Sequence, residues 1–197
     1  MRSEISPKAA EVLAVTRQLL VRGGYNSFSY ANVAEQVNIT KASIHHHFPS
    51  KEELVKTVVA HYRQDAAQAL AGLTGQLNDP IAELRAYVDY WASCIARGES
   101  EFCVCVMLAT EMPSIPSDVA QEVRAHFDSM TTWLADVIER GVARQQFQLD
   151  EAGNATRAAH TVLAAVHGAM LLARVSADPS AFSSVAHAAL HRLQRSH

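Results

Sequence analysis

Apolar residues recur along this chain at intervals of three and four, the spacing that gathers them on one face of a helix. Between residues 7 and 22, Ala9, Val12, Leu13, Thr16, Leu19 and Leu20 form one such stripe. Pro7 stands where a helix accepts proline, and Gly23-Gly24 stands where helices commonly end. Ser29 suits the cap of a short second helix, about 30–37, with Val33, Ala34 and Val37 facing inward. Asn38 and Ile39 make a tight turn, and Thr40 caps a third short helix from Lys41 to about His47. Pro49-Ser50 interrupts the pattern, and Ser50 with Glu53 reads as a capping box that starts a fourth helix at Lys51. The later elements are longer: roughly 51–76, 80–97, 101–112, 117–145, 152–176 and 179–195, punctuated by Pro80, Gly98, Pro113, Pro116, Gly153 and Pro179. No alternating run bounded by hairpin turns interrupts them, so the pattern predicts an all-α fold. The segment Ala155 to Val175 is apolar or small nearly all round. It must therefore be covered on more than one side, by the rest of the protein or by a second copy.

A length of 197 residues with 49% hydrophobic content excludes a disordered chain and suffices for one substantial core, or for a small head on a larger body. Residues Met1 to Lys8 lack the apolar run of a secretory signal, and no stretch reaches about 18 uninterrupted apolar residues. The expectation is a cytoplasmic protein with no membrane partner. The three cysteines, Cys94, Cys103 and Cys105, are too few for a disulfide framework and suit a reducing compartment.

The net charge of −3 conceals an asymmetry. Residues 1–63 hold 8 Lys/Arg against 5 Asp/Glu, and the remainder holds 9 against 15. A basic head on an acidic body suits a DNA-binding end attached to something else.

Two short helices joined by a three-residue turn, with a small polar face on the second, fit a helix-turn-helix whose second helix enters the major groove. The continuous run Gly24-Tyr25-Asn26-Ser27-Phe28-Ser29-Tyr30-Ala31-Asn32-Val33-Ala34-Glu35-Gln36-Val37-Asn38-Ile39-Thr40-Lys41-Ala42-Ser43-Ile44-His45-His46-His47-Phe48-Pro49-Ser50-Lys51-Glu52-Glu53-Leu54 goes further. In order, spacing and chemistry it resembles the signature of the tetracycline-repressor (TetR) family of transcriptional regulators. With the first helix, the resemblance covers about 60 residues. The chain departs from the usual pattern at Asn38, where Gly is common, at Ala42, and at His45-His46, where Tyr is more usual; Asn tolerates a left-handed backbone.

From residue chemistry, Thr40 and Ser43 can donate hydroxyl bonds to phosphate or bases, Lys41 can reach a phosphate or a guanine edge, and Ala42 can touch a thymine methyl. The resemblance adds His45 and His47 as DNA contacts, and Lys51 with the amides opening the fourth helix as a phosphate clamp. Ser29 and Tyr30 are expected to hold the opposite strand's backbone. Successive helix positions point about 100° apart, so His45, His46 and His47 are not expected to converge on a metal ion.

The body carries no comparably sharp motif. Tyr87, Tyr90, Trp91, Cys94, Phe102, Met107, Phe127, Met130, Trp133 and His167 fall on helices expected to bundle, where they either line an apolar effector pocket or fill the core. Cys103-Val104-Cys105 followed by Glu111 resembles the cysteine-bearing sixth helix of an electrophile-sensing subgroup, with Cys103 as the matching sulfur. On an intact helix, positions i and i+2 lie about 200° apart, so these two cysteines are not expected to share a disulfide or a metal. The helix start lowers the Cys103 thiol pKa while Glu99 and Glu101 oppose it. A thiol-based redox or electrophile sensor stands as the alternative, beside a buried structural cysteine. His187 and His191, four apart, could pair on a metal but more commonly mark a surface. His160 and His167 lie on the apolar helix, where one could bond a ligand.

The resemblance implies an N-terminal three-helix head, residues 1–50, with a connecting helix from 51, and a ligand-sensing and dimerisation body over 51–197. It implies a homodimer formed by the last two helices, a palindromic operator in double-stranded DNA, and release by a small-molecule effector, with no cofactor beyond it. Half-sites would lie about 34 Å apart or a multiple of that. No nucleophile, base and orienting group occur at a recognisable spacing, so no enzymatic activity is expected. A DNA-binding module without a ligand is the other class that remains open.

Overall fold

Capping side chains set most helix boundaries. The computed structural model of the chain describes residues 6–98, 102–149 and 153–194. Helix α1, Pro7–Gly23, opens with the Ser6 hydroxyl accepting from the Ala9 amide and closes at Gly24, whose φ of 81° is costly for any residue with a Cβ. A single 3-10 turn, Tyr25–Ser27, leads to α2, Tyr30–Val37. Asn38 ends α2 in the left-handed conformation, φ 55° and ψ 53°, with the Ile39 amide reaching back to the Ala34 carbonyl. Helix α3, Lys41–His47, is capped by Thr40, and α4, Lys51–Leu77, follows Ser50, whose hydroxyl accepts from the Glu53 amide. The chain continues through α5, Pro80–Arg97; α6, Val104–Ala109; α7, Ser117–Ala143; α8, Ala155–Ser176; and α9, Pro179–His191. Asp79, Asn154 and Asp178 cap α5, α8 and α9. Among the described residues there is no strand, only an isolated antiparallel bridge between Phe147 and Gln194.

Helix α6 is shorter than the periodicity predicts: Cys103 has extended backbone (φ −72°, ψ 126°), so the helix begins at Val104 rather than near 101, and it ends at Ala109 rather than near 112. Residues 101, 152 and 195, where the sequence places helix ends, lie outside the described residues, as do Glu99 and Glu101.

Packing divides the chain into two compact units, and the division falls elsewhere than at residue 50. One unit comprises Met1–Gln64 with Cys103–His126, the other Asp65–Phe102 with Phe127–His197. In the first, α1 packs on α2, α3 and α6. Its core includes Val12, Leu20, Val33, Ile44, Leu54, Val104 and Leu108, all fully buried, each contributing about 1.5–3 kcal/mol of hydrophobic stabilisation.

In the second unit, α9 packs on α8 and α5 around Leu84, Val88, Val166, Met170, Phe182 and Ala186. Among its described residues one carboxylate is buried, Glu83, and two side chains match it. Arg140 donates to both oxygens at 2.9 and 2.7 Å, Thr74 Oγ1 donates to Oε2 at 2.8 Å, and Trp133 Nε1 donates in turn to Thr74 at 3.1 Å. Helix α8 is long and apolar enough by composition to cross a membrane. Here it lies against α9 and buries Ala159, Val162, Val166 and Met170.

Candidate nucleic-acid interface

The second helix of the helix-turn-helix is held by one side chain. Ile44 is fully buried, while Thr40, Lys41, Ala42, Ser43, His45, His46 and His47 are exposed. A seven-residue helix anchored through a single isoleucine presents the rest of its circumference to solvent, the exposure a groove-reading helix requires. The Thr40 hydroxyl accepts from the Ser43 amide at 3.1 Å and lies 2.9 Å from the Ser43 hydroxyl, so both are oriented at the N-terminus of α3. Lys41 and Ala42 stand beside them with no partner demanded by the fold. Elsewhere in the first unit, cations are engaged: Lys8 with Glu11 at 2.6 Å, Lys56 with Asp118 at 2.8 Å, Arg63 with Glu122 at 3.1 Å, and Arg17 over the Tyr62 ring at 4.7 Å.

His45 packs edge-on against Tyr30, ring centroids 4.6 Å apart, with Nδ1 3.2 Å from the Pro49 carbonyl. His47 lies beside His46 and Phe48. Ser29 is exposed, and its amide and hydroxyl both donate to Asn32 Oδ1 at 2.9 Å, closing the first turn of α2.

Two side chains expected at the DNA backbone are engaged inside the head. Tyr30 is buried, its hydroxyl donates to the Phe48 carbonyl at 2.7 Å, and burial followed by the neighbouring Tyr25 pushes its pKa up to about 12. Tyr30, Val33, Ala34 and Val37 share one helical face, a period from which the inward position of Tyr30 could have been read. Lys51 donates to the Phe28 carbonyl and lies over the rings of Tyr25 and Phe28 at 4.7 and 4.3 Å. Burial lowers its pKa, and Glu111 partly opposes that. No local pattern links residue 51 to aromatics more than twenty positions earlier.

Glu111, just beyond α6, reaches the other side of the same turn. Its Oε2 accepts from the Tyr25 amide at 2.6 Å, and a Cβ on Gly24 would stand 2.3 Å from that oxygen. Gly24 thus answers both a left-handed backbone and a close carboxylate.

In the second unit, the aromatic candidates form separate contacts. Tyr87 meets Trp133 with centroids 5.6 Å apart, Phe127 meets His167 at 5.3 Å, and Arg174 lies over Phe102 at 5.3 Å. Trp91, Cys94, Phe102 and Met130 are buried, whereas Tyr90 is 58% exposed beside Trp91. Met107, on α6, belongs to the first unit. His187 lies 3.3 Å from Asp89, while His160 and His191 are exposed.

Cys103 corrects the helical-wheel argument. Because it precedes α6, its sulfur is not bound to the i, i+2 geometry, and Cys103 and Cys105 approach each other in the interior. The sequence signalled neither Tyr62, whose hydroxyl donates to Cys103 Sγ at 3.3 Å, nor His126, whose Nε2 lies 3.9 Å from that sulfur, since they come from α4 and α7. Burial, reinforced by the Cys103 contact, pushes the Cys105 thiol pKa well above its usual value.

An exposed helix seated by a buried isoleucine behind a left-handed turn defines a helix-turn-helix DNA-binding transcriptional regulator. Residues 12–58 match the family described as "Bacterial regulatory proteins, tetR family", and residues 80–189 match the "Tetracyclin repressor-like, C-terminal domain". The fold agrees with a TetR-family transcriptional regulator from Agrobacterium tumefaciens at a TM-score of 0.92 and 47% identity, covering 95% of this chain and 98% of that one. A TetR regulator from Legionella pneumophila gives 0.85 and 26%, covering 97% and 100%. An uncharacterized HTH-type regulator of Lactococcus lactis is 22% identical over 178 residues, 88% of this chain and 87% of its own length. The chain belongs to the TetR family of bacterial transcriptional regulators.

Proposed function

We propose that this regulator is a ligand-responsive repressor, a homodimer that binds a near-palindromic operator in double-stranded DNA and is released by a small-molecule effector. The observation that carries the reading is the ridge Thr40-Lys41-Ala42-Ser43, exposed along a helix whose opposite face is fixed by Ile44. Hydroxyls, one cation and one methyl are the donors and apolar contacts that base edges and phosphates accept.

Dimerisation is supported by α8 and α9, where Leu171, Leu172, Val175 and Val185 are 45, 48, 85 and 37% exposed although the opposite faces are buried. A second copy on this face would cover them and give the two-fold symmetry that a palindrome mirrors. Effector binding is supported by the half-buried Phe127–His167 pair, an apolar ring beside one polar handle. An effector that prefers the conformation with misplaced heads lowers operator affinity by that preference, and DNA weakens effector binding by the same factor. The thiol-sensing alternative through Cys103 loses ground, because reactive thiols are accessible and Cys103 is 1% exposed.

Selection of bound sequences from random duplex DNA tests this reading, followed by salt titration of the best site with the wild type and Lys41→Ala. A palindrome whose affinity falls steeply with salt supports it. A folded dimer that enriches no sequence refutes it.

A further inference from the structure

Cys103, Cys105 and His126 bring two sulfurs and an imidazole nitrogen within 4.8 Å of one another, and all three residues are buried. All belong to the first unit. The Cys103 sulfur already lies 3.9 Å from His126 Nε2. Tetrahedral coordination, at about 2.3 Å to sulfur and about 2.0–2.1 Å to nitrogen, sets the ligands roughly 3.5–3.8 Å apart. Side-chain shifts of about an ångström would therefore close the three around one ion. The start of α6 makes this possible, since a helix that included Cys103 would point the two sulfurs to opposite sides.

Charge and softness select the ion. Sulfur and imidazole favour a thiophilic metal over calcium or magnesium, which take oxygen ligands. Two thiolates and a neutral imidazole around a divalent cation sum to zero, the least costly total for a buried site. A monovalent cation would leave a net negative charge in the interior. Tyr62 completes the surroundings: its hydroxyl donates to Cys103 Sγ at 3.3 Å, and its ring lies 5.2 Å from that of His126. The Arg17 guanidinium holds the same ring at 4.7 Å. A hydrogen bond to a ligating sulfur is the outer-shell contact that orients a ligand in metal sites.

We propose that Cys103, Cys105 and His126 form a buried site for one divalent thiophilic cation of the Zn(II) class, with Tyr62 as a positioning residue on the Cys103 sulfur. The site stands independently of repression, operator and effector.

The test is anaerobic titration of Co(II) into the reduced full-length protein, read by the sulfur-to-cobalt charge-transfer band in the near ultraviolet, then displacement by Zn(II). One cobalt per chain is expected, displaced by one zinc. Cys105→Ser and His126→Ala should weaken binding by at least about 100-fold, Tyr62→Phe by about 10-fold, and Cys94→Ser not at all. A second measurement needs no variant: Zn(II) should slow alkylation of Cys103 and Cys105 in the wild type without slowing that of Cys94, as mapped by peptide mass. Absence of the band in the wild type, its survival in Cys105→Ser and His126→Ala, or protection equal at Cys94 would each overturn the site. An unchanged affinity in a folded Tyr62→Phe would remove the positioning role.

Discussion

Arg140→Met isolates the buried charge of the second unit. It removes the donors at 2.9 and 2.7 Å and leaves Glu83, fully buried, with the Thr74 hydroxyl as its hydrogen-bond donor and Arg144 as a more distant charge. Breaking one partner of a buried ion pair costs about 3–5 kcal/mol. The Arg140 side chain is 25% exposed, so solvent reaches part of the pair and the lower end, about 3 kcal/mol, is expected. The exposed bond from Arg140 to Asp136 adds little. Replacing both partners, Glu83→Met with Arg140→Met, removes the stranded charge and should return stability to within about 1 kcal/mol of the wild type. Urea unfolding followed by circular dichroism, at one protein concentration because dimerisation shifts the midpoint, measures both. The pH dependence supplies a sign. In the wild type, burial pushes the Glu83 carboxyl up, but bonds from Arg140 and then Thr74 bring it below its ordinary value. Its contribution is therefore present above the ordinary carboxylate range and lost as pH falls through the lowered value. Without Arg140, burial dominates and the carboxyl rises, so the variant's deficit should shrink as pH falls from about 7 to about 5. A loss under about 1 kcal/mol with an unchanged m value, or a double variant no more stable than the single one, would refute the reasoning.

Three further outcomes follow from the head. Gly24→Ala forces a Cβ onto a φ of 81° and into Glu111, and should cost about 1–3 kcal/mol in urea unfolding; a neutral result would mean that the turn relaxes freely. Tyr30→Phe should cost about 1 kcal/mol through the lost bond to Phe48 while leaving the DNA affinity of the folded protein unchanged, whereas losing a phosphate-contacting hydroxyl would weaken it. Lys41→Ala should leave thermal unfolding within about 0.5 kcal/mol of the wild type and reduce the salt slope by about 1; an unchanged slope at undiminished affinity removes Lys41 from the interface.

What the sequence determined by itself is whatever depends on residues close together in the chain. Helix faces, caps and the left-handed Asn38 are local: each requires a side chain within a few positions of the backbone it satisfies. The all-helical class and the exposed ridge on α3 follow from them, because the alternation of Ile44 with polar neighbours already sorts inside from outside. Tyr30 repeats at the same period as Val33 and Val37, a local signal of its inward position that the family resemblance overrode.

Tertiary packing decided the rest, because side chains from distant segments meet only when the helices assemble. Lys51 over Tyr25 and Phe28, Glu111 at the Tyr25 amide, Glu83 between Thr74 and Arg140, and Tyr62 and His126 around Cys103 have no signature in spacing. The cysteine pair shows the difference most sharply. Its two-residue separation forbids convergence on a helix, and α6 begins one residue later, so the rule that separates the sulfurs does not apply. A helix start is a local event, but what stands across from it is fixed only by the fold.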